Sequence, residues 1–178
     1  IRLSLVGSEM CIRDSNKAGT IGRAIRSVQQ QTLADWRLIV VDDGSTDTGP
    51  SLVEHIQTED KRIVLIHQKN AGPGAARNRG LAEATAPYVA FLDADDEWLE
   101  QHLANSLAAL HDSNLAATAA MYYEWPEQKN MTRHWRRRGI TPGDYRLGPK
   151  DPPRLLDALA CCMHVETCVI RTDTVSYT

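Results

Sequence analysis

Three carboxylates follow directly on an apolar run in the sequence VAFLDADD at 89–96. Such a run is typical of a strand that is buried along its length, and the aspartates at its carboxyl end lie where open α/β sheets bind ligands. Clustered carboxylates repel one another unless a cation joins them. The spacing of Asp93 and Asp95 offers hard oxygen ligands suited to Mg²⁺ or Mn²⁺. The pattern favours a metal-assisted transferase that acts on a phosphorylated donor, although a helix cap alone would need one of these acids.

A second apolar run, at 36–41, ends in the sequence DDGSTD. Its glycine permits a tight turn, and the polar residues after the glycine are good caps for a helix over 48–57. An ordinary strand–turn–helix connection therefore explains Asp47. It leaves Asp42 and Asp43 at a strand end without a structural role, so two strands are predicted to deliver carboxylates to one edge of the sheet.

A glycine-rich segment, AGPGAARNRG at 71–80, lies between the two acidic strand ends and predicts a loop that runs into a helix. Backbone N–H groups at a helix start, helped by a guanidinium, can bind a phosphate or a polar nucleobase edge. The segment fails as a dinucleotide fingerprint, because Arg77 stands at the third glycine position counted from Gly72, and no Walker lysine–serine pair follows. A plain turn and helix start explains the glycines equally well, but explains Arg77 less well.

Four segments, in their order and spacing, resemble family 2 glycosyltransferases. They are NKAGTI at 16–21, VVDDGSTD at 40–47, AGPGAARNRG at 71–80 and FLDADD at 91–96. Four ordered motifs are far more specific than any one of them. The resemblance implies an α/β chain with the GT-A nucleotide-diphospho-sugar transferase fold, a mainly parallel sheet flanked by helices, here truncated.

The resemblance also implies an inverting, metal-dependent transfer from a nucleotide-diphosphate sugar, usually a UDP-sugar, to an acceptor such as a polysaccharide or a lipid-linked glycan. By motif match, Asp43 would accept a hydrogen bond from the base, and Arg77 would lie close to that base. Asp93 would lie near the ribose and the metal, and Asp95 would be the main ligand of Mn²⁺ or Mg²⁺. Asp42 is counted with them as donor-binding.

The catalytic base is not identified. The family carries it at an acidic helix start after a Gly-Gly-Phe-like turn, and since nothing in this chain matches that segment, the base is expected beyond Thr174. No pattern assigns the role to Glu166 or Asp157. Two alternatives to an active glycosyltransferase therefore stay open: a nucleotidyltransferase or phosphotransferase that uses a nucleoside triphosphate, and an inactive remnant of the fold.

Both ends of the chain resemble translated sequencing-adapter sequence. Residues 1–15 and 175–178 are therefore predicted to be non-native, which leaves 16–174 as an incomplete GT-A donor-binding domain. A family member opens with an apolar strand and a Pro-x-Tyr-Asn-like turn, and only Asn16 resumes that pattern here. The Leu-Ser-Leu-Val sequence of the leader could still occupy the central strand position, because a sheet that lacks its inner strand exposes two unpaired edges.

Composition limits the remaining possibilities. The chain has 178 residues, of which 42% are hydrophobic, and a formal net charge of −3, which suits one α/β domain and argues against general nucleic-acid binding. The basic run at 133–138 is explained by a solvated surface, with peripheral membrane contact as the alternative. No apolar run reaches the length of about 20 residues that a membrane span needs. The predicted location is cytoplasmic, with the inner face of a membrane as the alternative.

Alternating helical and extended patterns predict the elements that position these residues. Helices are predicted at about 21–32, 48–57, 74–85, 97–111 and 155–162, strands at 36–41, 62–67, 88–92, 115–123 and 165–170, and a long loop at 124–153. Such alternation implies parallel strands joined by right-handed crossovers. The helix at 97–111 is predicted to bury an apolar stripe. This stripe consists of Trp98, Leu99, Leu103, Leu107 and Leu110.

Overall fold

A computed structural model describes residues 3–8, 18–113, 117–120, 123–124, 129–130, 136–137 and 168–172. The strands are β1 (Leu3–Ser8), β2 (Trp36–Asp42), β3 (Ile63–His67), β4 (Tyr88–Asp93), β5 (Ala117–Ala119), β6 (Tyr123–Glu124), β7 (Lys129–Asn130) and β8 (Cys168–Arg171). The helices are α1 (Ala18–Gln29), α2 (Gly49–Glu59), α3 (Pro73–Ala82) and α4 (His102–Ser113). None of the helices in these ranges is long and apolar enough to cross a membrane.

Six strands form one mixed sheet in the order β3-β2-β1-β4-β8-β5. β1 pairs in parallel with both β2 and β4, and β2 pairs in parallel with β3, as the alternating pattern predicts. β8 runs antiparallel between β4 and β5. Residues 3–8, which contain the Leu-Ser-Leu-Val sequence, thus occupy the central strand position between β2 and β4. The predicted foreign origin of residues 1–15 and 175–178 stays a prediction.

The strands β2 and β4 are almost wholly apolar because both of their faces are covered. Side chains alternate between two packing layers, as the period of a strand requires. One set packs with α1, α2 and α4 and consists of Leu38, Val40, Ala90 and Leu92. The other set consists of Ile39, Val41, Val89 and Phe91 and packs on the face of α3. The sheet is therefore held between a layer of three helices and a layer that contains α3.

Asp47 joins the starts of two helices. Its Oδ1 accepts a hydrogen bond from the Gly49 N–H at 2.9 Å, and its Oδ2 accepts one from the Ala18 N–H at 3.2 Å. Thr48, at the N-cap position of α2, makes no side-chain cap bond. One carboxylate thus satisfies orphan N–H groups of α1 and α2, where a negative charge is also favourable.

The predicted start of α4 at residue 97 is wrong, because the helix begins at His102. Leu99, predicted to be buried, is 71% exposed, whereas Leu103, Leu107 and Leu110 are buried as predicted. The reason is that the backbone before His102 is hydrogen-bonded to side chains of another element. In a helix that began at residue 97, the Leu103 N–H would donate to the Leu99 carbonyl. Here it donates to Gln31 Oε1 at 3.0 Å, and Gln31 Nε2 donates to the Leu99 carbonyl at 2.8 Å, so non-local partners replace the helical bond.

The strand predicted at 115–123 also ends too late, because β5 ends at Ala119 and residue 120 lies outside any strand. Part of the loop predicted at 124–153 is paired, because β6 and β7 form a two-residue antiparallel ladder. Strands this short carry too few residues for a period of two to be read from sequence. The helix predicted at 155–162 lies outside the described residues.

The first residue of α4 is a histidine that is mostly removed from water. The ring centroid of His102 lies 4.8 Å from that of Trp98, and its buried Nε2 has no hydrogen-bond partner within the described ranges. Burial lowers the pKa of His102 from 6.5 to about 4. The unfolded chain therefore binds a proton at His102 more tightly than the folded protein does, and protonation favours unfolding. The stability that the neutral His102 contributes is fully present above pH 6.5 and is lost as the pH falls towards 4.

We expect the free energy of unfolding to fall by up to about 3 kcal/mol between pH 7 and pH 4 through His102 alone. His102→Phe keeps a flat ring against Trp98 and removes the titrating group, so it should abolish this part of the pH dependence in urea denaturation. His111→Phe, at an exposed position near the other end of α4, is the matched control and should retain it. An unchanged pH profile in His102→Phe would contradict the assignment.

Candidate functional site

The acidic ends of β2 and β4 lie at the same edge of the sheet, on either side of β1. The register aligns Ser8 with both Val41 and Asp93. Asp42 and Asp43 therefore lie just beyond the level of Asp93. Since neighbouring strands are about 4.8 Å apart, roughly 10 Å separates the β2 and β4 backbones across β1. The structure brings the two acidic segments to one edge, as the sequence predicts.

Asp43 holds the glycine-rich loop in place. Its carboxyl group is buried and accepts three hydrogen bonds, from Gln68 Nε2 at 2.7 Å and from the N–H groups of Ala71 and Gly72, each at 2.8 Å. Gly72 is the N-cap residue of α3 and has φ 89°, a left-handed conformation that favours glycine. Asp43 therefore fixes the point at which the loop becomes helix.

Gly44 allows the loop to approach the end of β2. Its φ is 80°, and a Cβ at this position would lie 3.1 Å from the backbone nitrogen of Asn70. A side chain at residue 44 would therefore be strained by its backbone and crowded by the loop. The glycine that follows the acid pair is needed so that the loop can lie against the turn.

Arg77, in the middle of α3, completes the link from β2 to β4. Its Nη2 lies 3.0 Å from Asp93 Oδ1 and 3.2 Å from Oδ2. The side chains are 20% exposed for Arg77 and 8% for Asp93, so this ion pair is largely shielded from water. A continuous series of contacts thus runs from Asp43 through Gly72 and α3 to Arg77 and Asp93.

Asp42, predicted to bind the donor, is engaged in the turn and in β3. Its Oδ1 accepts a hydrogen bond from the Ser45 N–H at 2.9 Å, and its Oδ2 lies 2.9 Å from His67 Nδ1. Burial on its own raises the pKa of Asp42, but the hydrogen bonds from Ser45 and His67 outweigh burial and hold the pKa below its usual value. Donor binding by Asp42 stays a prediction. The structure shows that Asp42 also connects the turn after β2 to β3, a role that the sequence did not indicate.

Sequence reasoning also missed His67, the last residue of β3. Its Nε2 lies 3.8 Å from Glu54 Oε1, in addition to the contact of Nδ1 with Asp42. The imidazole therefore lies between a carboxylate of β2 and one of α2. The one available signal is its position at the end of an apolar strand, at the same sheet edge as the acids.

Asp95 differs from the other acids, because its side chain is exposed in the turn after β4. Within the described ranges its carboxylate makes no hydrogen bond or ion pair. In the same ranges, no group of three or more His, Cys, Asp or Glu side chains is arranged to hold a metal ion. Asp95 offers one exposed carboxylate to a Mg²⁺ or Mn²⁺, and phosphate oxygens and water would have to supply the other ligands, as they commonly do for these ions at phosphate sites.

Comparison with known families decides what kind of domain this is. Residues 15–167 match the model of glycosyl transferase family 2. The chain belongs to that family. This family 2 chain is 38% identical over 105 residues to an uncharacterized glycosyltransferase of Rickettsia conorii, and 43% identical over 95 residues to the succinoglycan biosynthesis protein ExoW of Rhizobium meliloti.

The chain spans only part of these relatives. The two matches cover 59% and 52% of this chain, but 17% of the Rickettsia protein and 30% of the Rhizobium protein. The predicted family is confirmed for the region that matches, and the relatives contain further sequence that this chain does not align with.

Solved structures give the fold of the family 2 domain. S. aureus TarS 1-349 in complex with UDP superposes with a TM-score of 0.69 at 20% identity, over 97% of this chain and 47% of that chain. The mannosyltransferase PcManGT from Pyrobaculum calidifontis, in complex with GDP-Man and Mn²⁺, superposes with a TM-score of 0.61 at 24% identity, over 69% of this chain and 36% of that chain. The predicted GT-A fold is confirmed.

We expect the Arg77–Asp93 pair to show strong coupling in a double-mutant cycle. Arg77→Met should lower the free energy of unfolding by about 3 kcal/mol, because it leaves the carboxylate of Asp93 buried and unpaired. Asp93→Asn in the same chain should recover part of this loss, which corresponds to an interaction energy of roughly 1–3 kcal/mol. Urea denaturation at pH 7 measures all four chains of the cycle.

The matched control is the exposed pair, four residues apart, at the C-terminal end of α3. Arg79 Nη2 lies 3.1 Å from Glu83 Oε1, with the side chains 49% and 43% exposed. Arg79→Met and Glu83→Gln should couple by no more than about 0.5 kcal/mol, because water screens such pairs. If the effects of Arg77→Met and Asp93→Asn on the free energy of unfolding are additive, the two side chains do not interact as a shielded ion pair.

Proposed function

We propose that the chain is the donor-binding domain of an inverting, metal-dependent glycosyltransferase that uses a UDP-sugar. The observation that carries the proposal is the series of contacts from Asp43 through Gly72 and Arg77 to Asp93, which ends two residues before Asp95 with its exposed side chain. The bound UDP of TarS supports a uridine nucleotide. The name of the Rhizobium relative, a succinoglycan biosynthesis protein, supports a polysaccharide or lipid-linked glycan as the acceptor.

Asp43 and Arg77 would form the nucleoside end of the site. A carboxylate offers about four acceptor positions, and Asp43 uses three of them on the loop. The remaining position can accept an N–H of a base such as uracil, and the loop donors hold the carboxylate in one orientation. Arg77, held by Asp93, would place its planar guanidinium next to that base, where it can stack or donate hydrogen bonds.

Asp95 would form the diphosphate end of the site. A divalent ion there supplies Lewis-acid stabilisation of the charge that develops on the leaving nucleoside diphosphate. Asp95 would bind and orient this ion, and Asp93 would lie near the ribose and the metal while it holds Arg77 in place. The acceptor hydroxyl has to approach the sugar carbon from the side opposite the diphosphate and give its proton to a base. That base, predicted beyond Thr174, lies outside the described residues.

The surroundings of the domain are also part of the proposal. We place it in the cytoplasm at the inner face of a membrane, where a lipid-linked acceptor would be presented. The basic run at 133–138 supports peripheral contact with anionic headgroups. Arg136 and Arg137, its described residues, are exposed.

We expect calorimetry on the full 178-residue chain to detect UDP binding that depends on Mn²⁺. Asp95→Asn removes the exposed carboxylate charge and should weaken UDP binding in the presence of Mn²⁺ by about tenfold, which corresponds to roughly 1.4 kcal/mol. The same substitution should leave the weaker binding of UDP without metal unchanged. GDP, whose base has a different shape and different edges, should bind less tightly than UDP.

The control is Glu100→Gln, which removes a carboxylate from an exposed residue of the same connecting segment. The Glu100 carbonyl accepts a hydrogen bond from the Thr32 N–H at 2.8 Å, and Thr32 lies in the loop that enters β2 at the opposite edge of the sheet. Glu100→Gln should therefore bind UDP as the wild type does. If UDP binds equally well with and without Mn²⁺, or does not bind at all, the proposal is wrong. Release of pyrophosphate from a nucleoside triphosphate would indicate a nucleotidyltransferase instead.

A further inference from the structure

The segment at 94–101 carries Asp95 from β4 to α4 without forming a helix or strand. Its buried peptide groups therefore need hydrogen-bond partners outside regular structure. Two polar side chains provide them: Ser27 in α1 and Gln31, two residues after the end of this helix, which are 4% and 7% exposed. We call Ser27 and Gln31 the α1 clamp.

Gln31 contacts both ends of the stretch that leads into α4. Its Nε2 donates to the carbonyl oxygen of Leu99 at 2.8 Å and to that of Ser27 at 3.0 Å. Its Oε1 accepts a hydrogen bond from the Leu103 N–H at 3.0 Å. The amide group thus uses its donors and its acceptor on backbone groups, and it ties the end of α1 to the start of α4.

Ser27 holds the segment one residue earlier. Its Oγ accepts a hydrogen bond from the Trp98 N–H at 3.1 Å and donates one to the Ala24 carbonyl at 2.7 Å. Beside these bonds, the exposed pair of Arg23 Nε and Glu97 Oε1, at 3.5 Å, connects the same two elements. The clamp therefore fixes the backbone from Trp98 onward against α1.

Asp95 lies between this clamp and a second anchor. On its other side, Asp93 is fixed by strand pairing to β1 and by its ion pair with Arg77. Only residues 94–97 separate the anchors, and the first of them, Ala94, is buried in the core. An exposed carboxylate binds an ion well only when its backbone is already in position, because ordering it on binding costs affinity.

We propose that Ser27 and Gln31 are positioning residues for Asp95: they hold the segment that presents its carboxylate to the metal and the diphosphate. The inference rests on the proposed donor binding. Burial of a hydroxyl and an amide is costly unless they are hydrogen-bonded, and both side chains use that capacity on the segment after β4. Neither side chain would touch the ligand, and the clamp acts through the backbone of residues 94–99.

The test uses Ser27→Ala and Gln31→Leu in the full chain. If loss of the clamp leaves the segment correctly placed about a tenth of the time, the Mn²⁺ concentration that half-saturates UDP binding should rise about tenfold. UDP affinity without metal should not change, because the clamp does not touch the nucleoside end. Amide hydrogen exchange without any ligand should be faster at Asp96, whose N–H bonds to the Asp93 carbonyl at 3.1 Å.

Two control variants separate positioning from stability. Gln30→Leu makes the same change at the neighbouring, exposed residue. Val53→Ala creates a cavity in the core at α2 and lowers overall stability without touching the clamp. Both should keep the wild-type dependence on Mn²⁺ at a temperature where every variant is folded.

The outcomes distinguish this inference from the proposed function. A wild-type chain that binds UDP with Mn²⁺, together with clamp variants that match it in Mn²⁺ dependence and in exchange at Asp96, would overturn the clamp and leave the proposed function intact. If the clamp variants lose the same UDP affinity with and without metal, the role of the clamp is structural only, and the positioning inference is wrong. A wild-type chain that does not bind UDP would overturn the proposed function, and the positioning role with it.

Discussion

Buried carboxylates have to be paired or hydrogen-bonded, and this requirement organises the carboxyl edge of the sheet. Asp42, Asp43 and Asp93 are all buried there, and each is satisfied by a different segment. His67 and the turn satisfy Asp42, the glycine-rich loop satisfies Asp43, and Arg77 of α3 satisfies Asp93. Asp95 is exposed, and its carboxylate has no such partner in the described ranges. Of these four acids, three are held by contacts that build the edge, and Asp95 has its carboxylate exposed to solvent.

The candidate site draws on both layers of the fold. α3, on one face of the sheet, contributes Arg77, while α1, on the other face, holds the segment after Asp95 through Ser27 and Gln31. Strand pairing through β1 brings these contributions together at one level of the sheet. The residues that build the candidate site are spread along the chain because they come from helices on both faces and from the strands between them.

The sequence predicts the parts of the fold that depend on local pattern. The apolar runs that became β2 and β4 end in acids, so their placement and shared edge follow from the rules for parallel sheets. Contacts between distant residues could not be predicted in this way. Nothing near Leu103 indicates that Gln31, 72 residues earlier in the chain, accepts its N–H, and the helical pattern therefore predicts too early a start for α4. Likewise, Asp42 resembled a ligand-binding acid because its partner, His67, lies 25 residues away on another strand.

The central position of β1 sets the order in which the chain can assemble. Leu3 pairs with Trp36 on one side and with Tyr88 on the other, so the second partner follows 85 residues later. At a synthesis rate of about 5–20 residues per second, the first strand waits roughly 4–17 seconds for it. During this interval, one hydrogen-bonding edge of β1 has no mate from its own chain. In a nascent chain of this topology, the centre of the sheet can therefore close only after β4 has been made, and until then that edge of β1 is open to pairing with other strands.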